Sequence, residues 1–204
     1  MNNNKIMSVG GAWRVPKTNT GERLGDGPDD FGWIEINKEL SEKISDVRFI
    51  PEERMNLNIN KCQDRYFSII GFPYSKNKKF SNRTKTGCWH YNSAGTKTDD
   101  PLFKEYTNHI FIPYNTKALE NKDGSVILNP IKPRGISGGG IIDLGNFHLF
   151  RNKPYSKLSG ITIELNKNLL IGLKLSRIVD DIKSTQYNFL NRANNHYSLY
   201  PLKI

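Results

Sequence analysis

From Tyr66 onward the chain breaks into short apolar stretches separated by turn signals, at intervals of roughly 8–15 residues. That rhythm belongs to an antiparallel barrel or sandwich of many short strands. Tyr66-Phe67-Ser68-Ile69-Ile70-Gly71 reads as one such strand, and Phe72-Pro73 as the turn that ends it. His109 to Pro113 and Val126 to Leu128 read as strands on either side of Asn121-Lys122-Asp123-Gly124-Ser125. The Asp-Gly pair marks that segment as a turn, because glycine supplies a positive φ without steric cost. Ahead of this region, residues 31–36 alternate well enough for a strand. Ala12-Trp13-Arg14-Val15 is a short apolar piece in a stretch rich in Gly, Asn and Thr. Residues 37–60 carry Glu, Lys and Asn and read as a connector, with Val47 to Ile50 a short strand. From Ser176 the pattern changes, and Ile178, Val179, Ile182, Phe189 and Leu190 suit one face of a helix. The expected organisation is residues 1–60, then 61–175, then a helix and tail over 176–204.

One stretch stands out chemically: Lys132-Pro133-Arg134-Gly135-Ile136-Ser137-Gly138-Gly139-Gly140-Ile141-Ile142. It sets one serine among glycines and runs into an apolar strand. A serine hydroxyl is a weak nucleophile unless a base takes its proton. Flanking glycines permit a sharp bend and let a substrate carbonyl approach the main chain. The N–H groups of Gly135 and Ser137 then become candidates for an oxyanion hole.

Gly135-Ile136-Ser137-Gly138-Gly139 resembles the Gly-x-Ser-Gly-Gly nucleophile loop of trypsin-like serine peptidases, the chymotrypsin fold. Other segments resemble that family in the same chain order. Asp30-Phe31-Gly32-Trp33-Ile34-Glu35-Ile36 is similar to its Asp-x-Ala segment, with Gly32 in place of alanine. Tyr66 to Pro73 is similar to the strand and turn that open the second barrel. Leu158-Ser159-Gly160-Ile161-Thr162-Ile163-Glu164 is similar to the strand lining the primary pocket. Leu170 to Leu175 and the stretch after it are similar to the last strand and the C-terminal helix. The resemblance implies an all-β fold with a C-terminal helix: a six-stranded antiparallel Greek-key barrel of the chymotrypsin type, with a remnant of a first barrel at the N-terminus.

It also implies roles. Ser137 is the nucleophile and Asp30 the acid that orients a histidine. Gly135 and Ser137 form the oxyanion hole. Ile131 sits at the base of the primary pocket, which favours apolar side chains, and Thr162, Ile163 and Glu164 line the strand that pairs with substrate backbone. Peptide or protein is the implied substrate, with no cofactor and no metal. The departure is the base. The family places its histidine upstream of the aspartate, whereas His90, His109, His148 and His196 all lie downstream of Asp30. The chain therefore reads as the second half of a two-barrel peptidase whose histidine is not among these residues. A catalytically inactive barrel that binds peptide or protein is the competing expectation.

Composition narrows the alternatives. The 30 Lys and Arg against 20 Asp and Glu leave a net charge of +10. The positive charges are dispersed, with Lys76-Asn77-Lys78-Lys79 the nearest thing to a cluster, so the reading is a solvated surface with no specific nucleic-acid partner. No apolar run is long enough to span a bilayer, and no membrane partner is expected. Cys62 and Cys88 make no zinc spacing and at most one disulfide. Two free thiols in a reducing, cytoplasmic setting are the expectation. An α/β-hydrolase elbow also contains Gly-x-Ser-x-Gly, and Asp180 or Asp181 followed by His196 has its chain order. That elbow needs a strand before the serine and a helix after it. Here Lys132-Pro133-Arg134 precedes and a strand follows.

Overall fold

A computed structural model describes residues 13–14, 31–34, 36, 42, 50–73, 78–80, 83–85, 87–97, 107–114, 124–125, 133–146, 156–166 and 168–185. The chain divides into two compact units, Met1–Pro51 and Glu52–Ile204. In the first, β1 (Trp13–Arg14) pairs antiparallel with β2 (Trp33–Ile34), Trp13 opposite Ile34 and Arg14 opposite Trp33. Both strands fall where the sequence pattern puts them. Asp30 lies outside the described residues, as do positions 47–49 of the strand expected over Val47 to Ile50.

The second unit opens with a 3-10 turn, Glu52–Arg54, and carries β3 (Arg65–Gly71), a hairpin of β4 (Lys78–Phe80) and β5 (Arg83–Lys85), then β6 (Trp89–Ala94), β7 (His109–Pro113), β8 (Gly140–Asn146), β9 (Lys157–Asn166) and β10 (Leu169–Lys174). A helix, α1, follows over 175–185. Six of these strands form one antiparallel sheet in the order β6-β3-β8-β9-β10-β7. The sheet curls into a half-barrel. Beyond β6, Thr96 bridges to Phe111 of β7, which brings the two edges of the sheet together.

Three irregularities help the sheet to curl, because a bulge bends its strand and increases the local twist. One lies where β3 meets β8, between Tyr66 and Phe67; one where β8 meets β9, between Ile141 and Ile142; and one where β10 meets β9, between Ile171 and Gly172.

Alternation decides which side chains point inward. In β3, Phe67 and Ile69 are buried while Ile70 is 39 % exposed. In β8, Ile141, Asp143 and Gly145 take the inward positions. Phe67, Ile69, Ile110, Ile112, Tyr114, Ile136, Ile141 and Leu170 form one core with Ile59. Each large side chain so buried contributes about 1.5–3 kcal/mol. β7 and β10 are buried at nearly every position, so their sequences run apolar instead of alternating. In α1, Leu175 and Ile178 are buried, as the helical spacing requires; Phe189 and Leu190 lie outside the described residues. Gly124 has φ +80°, the value the Asp-Gly turn needs; the strand expected at Val126 to Leu128 lies outside the described residues.

Trp89, Tyr91 and Tyr114 stack on and edge into one another, with ring centroids 5.0–5.9 Å apart. The Tyr91 hydroxyl donates to the Pro113 carbonyl at 2.8 Å. Burial pushes the Tyr114 phenol up to about 12, helped by the neighbouring Tyr91.

Candidate functional site

Ser137 lies in the loop that leads into β8, and two consecutive turns shape that loop. In the first, the Ile136 amide donates to the Pro133 carbonyl at 3.1 Å, and Gly135, the third residue of the turn, has φ +80°. In the second, the Gly139 amide donates to the Ile136 carbonyl at 2.8 Å, and Gly138, again third, has φ +82°. A positive φ at the third position marks a type II turn and calls for glycine. The pattern Gly-x-x-Gly at positions 135 and 138 is therefore set by the backbone alone. Ser137 falls at the second position of the second turn and is exposed, as are Arg134, Gly135 and Gly138.

The loop is fixed from within and from the side. Ile136 is a core residue, 3 % exposed, and it fills the space beside Gly71. On the β9 side, the Gly138 amide donates to the Thr162 carbonyl at 2.7 Å and the Thr162 amide donates to the Gly139 carbonyl at 2.8 Å. Thr162 is fully buried, and its hydroxyl donates to the Ile136 carbonyl at 2.6 Å, with the Gly139 carbonyl 3.1 Å away. Gly139 has no room for a side chain: a Cβ there would lie 2.6 Å from the Ile70 carbonyl oxygen. Among the described residues, no main-chain acceptor takes the amide of Gly135 or of Ser137.

Beyond Thr162, β9 has no partner strand on this side among the described residues. Its pairing with β8 ends at Ile161 opposite Gly140, and the loop takes Thr162. No described strand pairs with Ile163–Asn166 on that edge, while β10 pairs with the other. Ile163 is the bulged residue, because Thr162 faces Gly172 and Glu164 faces Ile171. Glu164 and Leu165 are exposed. The structure thus brings Gly135, Ser137, Thr162, Ile163 and Glu164 to one end of the sheet. The main-chain groups of Thr162 are taken by the loop. Ile131 and Asp30 lie outside the described residues, as do His148 and His196.

His90 is exposed on β6. Ile70 of β3 stands between it and Gly140, since Ile70 pairs with both. The loop bonds to Thr162 of β9 and packs Ile136 beside Gly71 of β3. His109 is buried on β7, two strands beyond β9.

Midway along β8 the sequence reading missed a charged cluster centred on Asp143. Asp143 is fully buried, and its carboxylate accepts from Asn56 Nδ2 and from Arg65 Nε, each at 2.6 Å, and from the Gly145 amide at 2.8 Å. Arg65 also donates to Asn146 Oδ1 at 3.3 Å. Asn56 is anchored in turn, its amide donating to the Leu158 carbonyl at 2.8 Å. A buried carboxylate is tolerated when its lone pairs meet donors in this way. Cys62, near this cluster, is half-buried, and burial raises its thiol pKa, with Lys174 the main opposing influence. Cys62 and Cys88 are both free. Among the described residues, no group of three His, Cys, Asp or Glu side chains could hold a metal ion, and no helix is long and apolar enough to cross a membrane.

Compared with known protein families, with curated proteins and with solved structures, the chain matches none.

Proposed function

We propose that Ser137 is the nucleophile of a trypsin-like serine endopeptidase, acting on an extended peptide laid along the open edge of β9. One observation carries this reading: an exposed serine between two positive-φ glycines, with the amides of Gly135 and Ser137 unbonded to any main-chain acceptor and the β9 edge unpaired among the described residues. The topology is consistent with it. Of the six sheet strands, the first three in chain order are β3, β6 and β7, and the fourth, β8, returns to lie beside the first. Taken with the Thr96–Phe111 bridge between β6 and β7, this order supports reading the sheet as a Greek key of order 4-1-2-3.

In the proposed reaction, the edge at Ile163 to Leu165 pairs with substrate backbone as an added strand does. Ser137 Oγ attacks the scissile carbonyl carbon while a histidine takes the hydroxyl proton. The carbonyl oxygen, now negative, is held by the amides of Gly135 and Ser137. Collapse of the intermediate breaks the C–N bond, and the histidine returns its proton to the leaving amine. Water then hydrolyses the acyl-enzyme by the same route in reverse. Chain order assigns the base to a histidine other than His90, His109, His148 and His196, which all lie downstream of Asp30, with Asp30 orienting it. Ile131 at the base of the primary pocket would select an apolar side chain.

A fluorophosphonate probe tests the proposal directly. In the protein complete with that histidine, Ser137 should be labelled, and Ser137→Ala should abolish the label. Labelling that persists in Ser137→Ala, or a wild-type chain that never reacts, removes the peptidase reading. A second reading is favoured by the open β9 edge alone: a barrel that binds an extended peptide by strand addition and does not cleave it. It predicts no labelling, together with peptide-induced shifts at the amides of Ile163 and Leu165.

A further inference from the structure

The peptide group between Ile136 and Ser137 is planar and trans, so its C=O and N–H point in opposite directions. Whatever fixes the Ile136 carbonyl therefore also aims the Ser137 amide. That carbonyl is fixed twice: by the Thr162 hydroxyl at 2.6 Å and by the Gly139 amide at 2.8 Å. The hydroxyl acts from a fully buried side chain on β9, 26 positions away in sequence. It spans the second turn, since the carbonyl of Gly139, the turn's last residue, lies 3.1 Å from the same oxygen.

We infer that Thr162 is a positioning residue for Ser137. Its hydroxyl turns the Ile136 carbonyl inward and so holds the Ser137 amide outward, where a developing oxyanion would sit. The role rests on the reading of Ser137 as the nucleophile, but its geometric core, the clamp on the Ile136–Ser137 peptide, does not. Flipping this peptide would forfeit the bond from the Gly139 amide and leave the buried Thr162 hydroxyl without its nearest acceptor. A valine at position 162 would fill nearly the same volume and keep the main-chain bonds to Gly138 and Gly139, yet it would free the peptide to turn. Backbone pairing alone thus holds the loop in register, and the hydroxyl adds the direction of one amide.

The test uses Thr162→Val and Thr162→Ser in the full chain, with amide hydrogen exchange and fluorophosphonate labelling as separate readouts. In Thr162→Val, exchange at Gly139 should quicken about tenfold, and labelling of Ser137 should slow about tenfold, while exchange at Ile171 in β10 stays as in the wild type. Thr162→Ser, which restores the hydroxyl, should bring both back. If Gly139 exchanges at the wild-type rate in Thr162→Val, or Ile171 quickens in parallel, or Thr162→Ser fails to restore the loop, the clamp is overturned. If the wild-type chain is never labelled, the nucleophile reading fails while the exchange arm still decides the clamp. Should Thr162→Val not fold, the wild type answers alone. A clamped hydroxyl proton exchanges slowly enough to give its own resonance with a cross-peak to the Gly139 amide, and its absence overturns the inference.

Discussion

At the start of β8 the chain is held by main-chain bonds, two glycine turns and one hydroxyl; midway along it, the buried Asp143 carboxylate gathers donors from Asn56, Arg65 and Gly145. Among the described residues, the first place leaves the Gly135 and Ser137 amides without a main-chain acceptor, and it puts a serine in solvent. The second satisfies its charge inside the protein and offers nothing to a ligand. The two places belong to one strand of 7 residues, and they are held in two different ways. Charged side chains lock the half-barrel where no chemistry is needed. Neutral backbone holds the loop, which on the proposed reading keeps a competing charge away from the oxyanion.

The sharpest way to break this contrast is to remove the charge. Asp143→Ala takes the carboxylate from a buried ion pair and should destabilise the chain by about 3–5 kcal/mol, read by urea denaturation. A loss under about 1 kcal/mol would place the pair among ordinary surface salt bridges and end the distinction.

Alkali offers a control that touches neither end. The Tyr114 phenol is raised to about 12 in the folded chain. An unfolded tyrosine ionises near pH 10, so the unfolded state gives up its proton first. Stability is therefore intact below pH 10 and falls as pH climbs toward 12, by on the order of 2–3 kcal/mol. Denaturation midpoints measured across that window, with phenolate absorbance followed in parallel, check it. A flat profile would show that Tyr114 is not sealed in the core.

Gly139→Ala probes the loop end. The new Cβ would meet the Ile70 carbonyl oxygen at 2.6 Å and the Ile136 carbonyl oxygen at 2.9 Å, both backbone atoms with little freedom to move. We expect a loss of about 1–3 kcal/mol together with loss of labelling at Ser137. Unchanged labelling would mean that the loop's shape does not govern the serine.

Ser137→Ala should have the smallest effect on folding, within about 0.5 kcal/mol, because the side chain is exposed and the turn does not use it. A large destabilisation in thermal denaturation would reveal a structural hydroxyl and weaken the case for a functional one.

Much of the strand framework was legible. The pattern at His109 to Pro113 matches β7 to the residue, and the Gly135–Gly138 spacing announced a bent loop before a strand. These signals are local: alternation, turn chemistry and a glycine's φ all act within a few residues. The Asp143 cluster is not local, since its partners lie 78 and 87 positions away. A trace of it was visible all the same. Asp143 has the same parity as Ile141 in β8, and an acid on the inward face of a strand demands buried donors. Sequence parity could have flagged the need, though not the partners. Thr162 shows the same limit: the resemblance assigned it to substrate backbone, and its hydroxyl's reach to Ile136 depends on the loop folding against β9. The bulge that re-aims Ile163 is likewise set by pairing with β10 and leaves no mark in the residues themselves.

The double turn has one more consequence. Its shape depends on Gly135, Ile136, Gly138, Gly139 and a buried threonine, and on neither Arg134 nor Ser137, both of which project into solvent. Those two positions can exchange residues freely while the scaffold keeps its form. A cysteine or an alkylating handle installed at 137 would be presented at the same point in space, so the loop can serve as a fixed mount for chemistry the natural chain never carried.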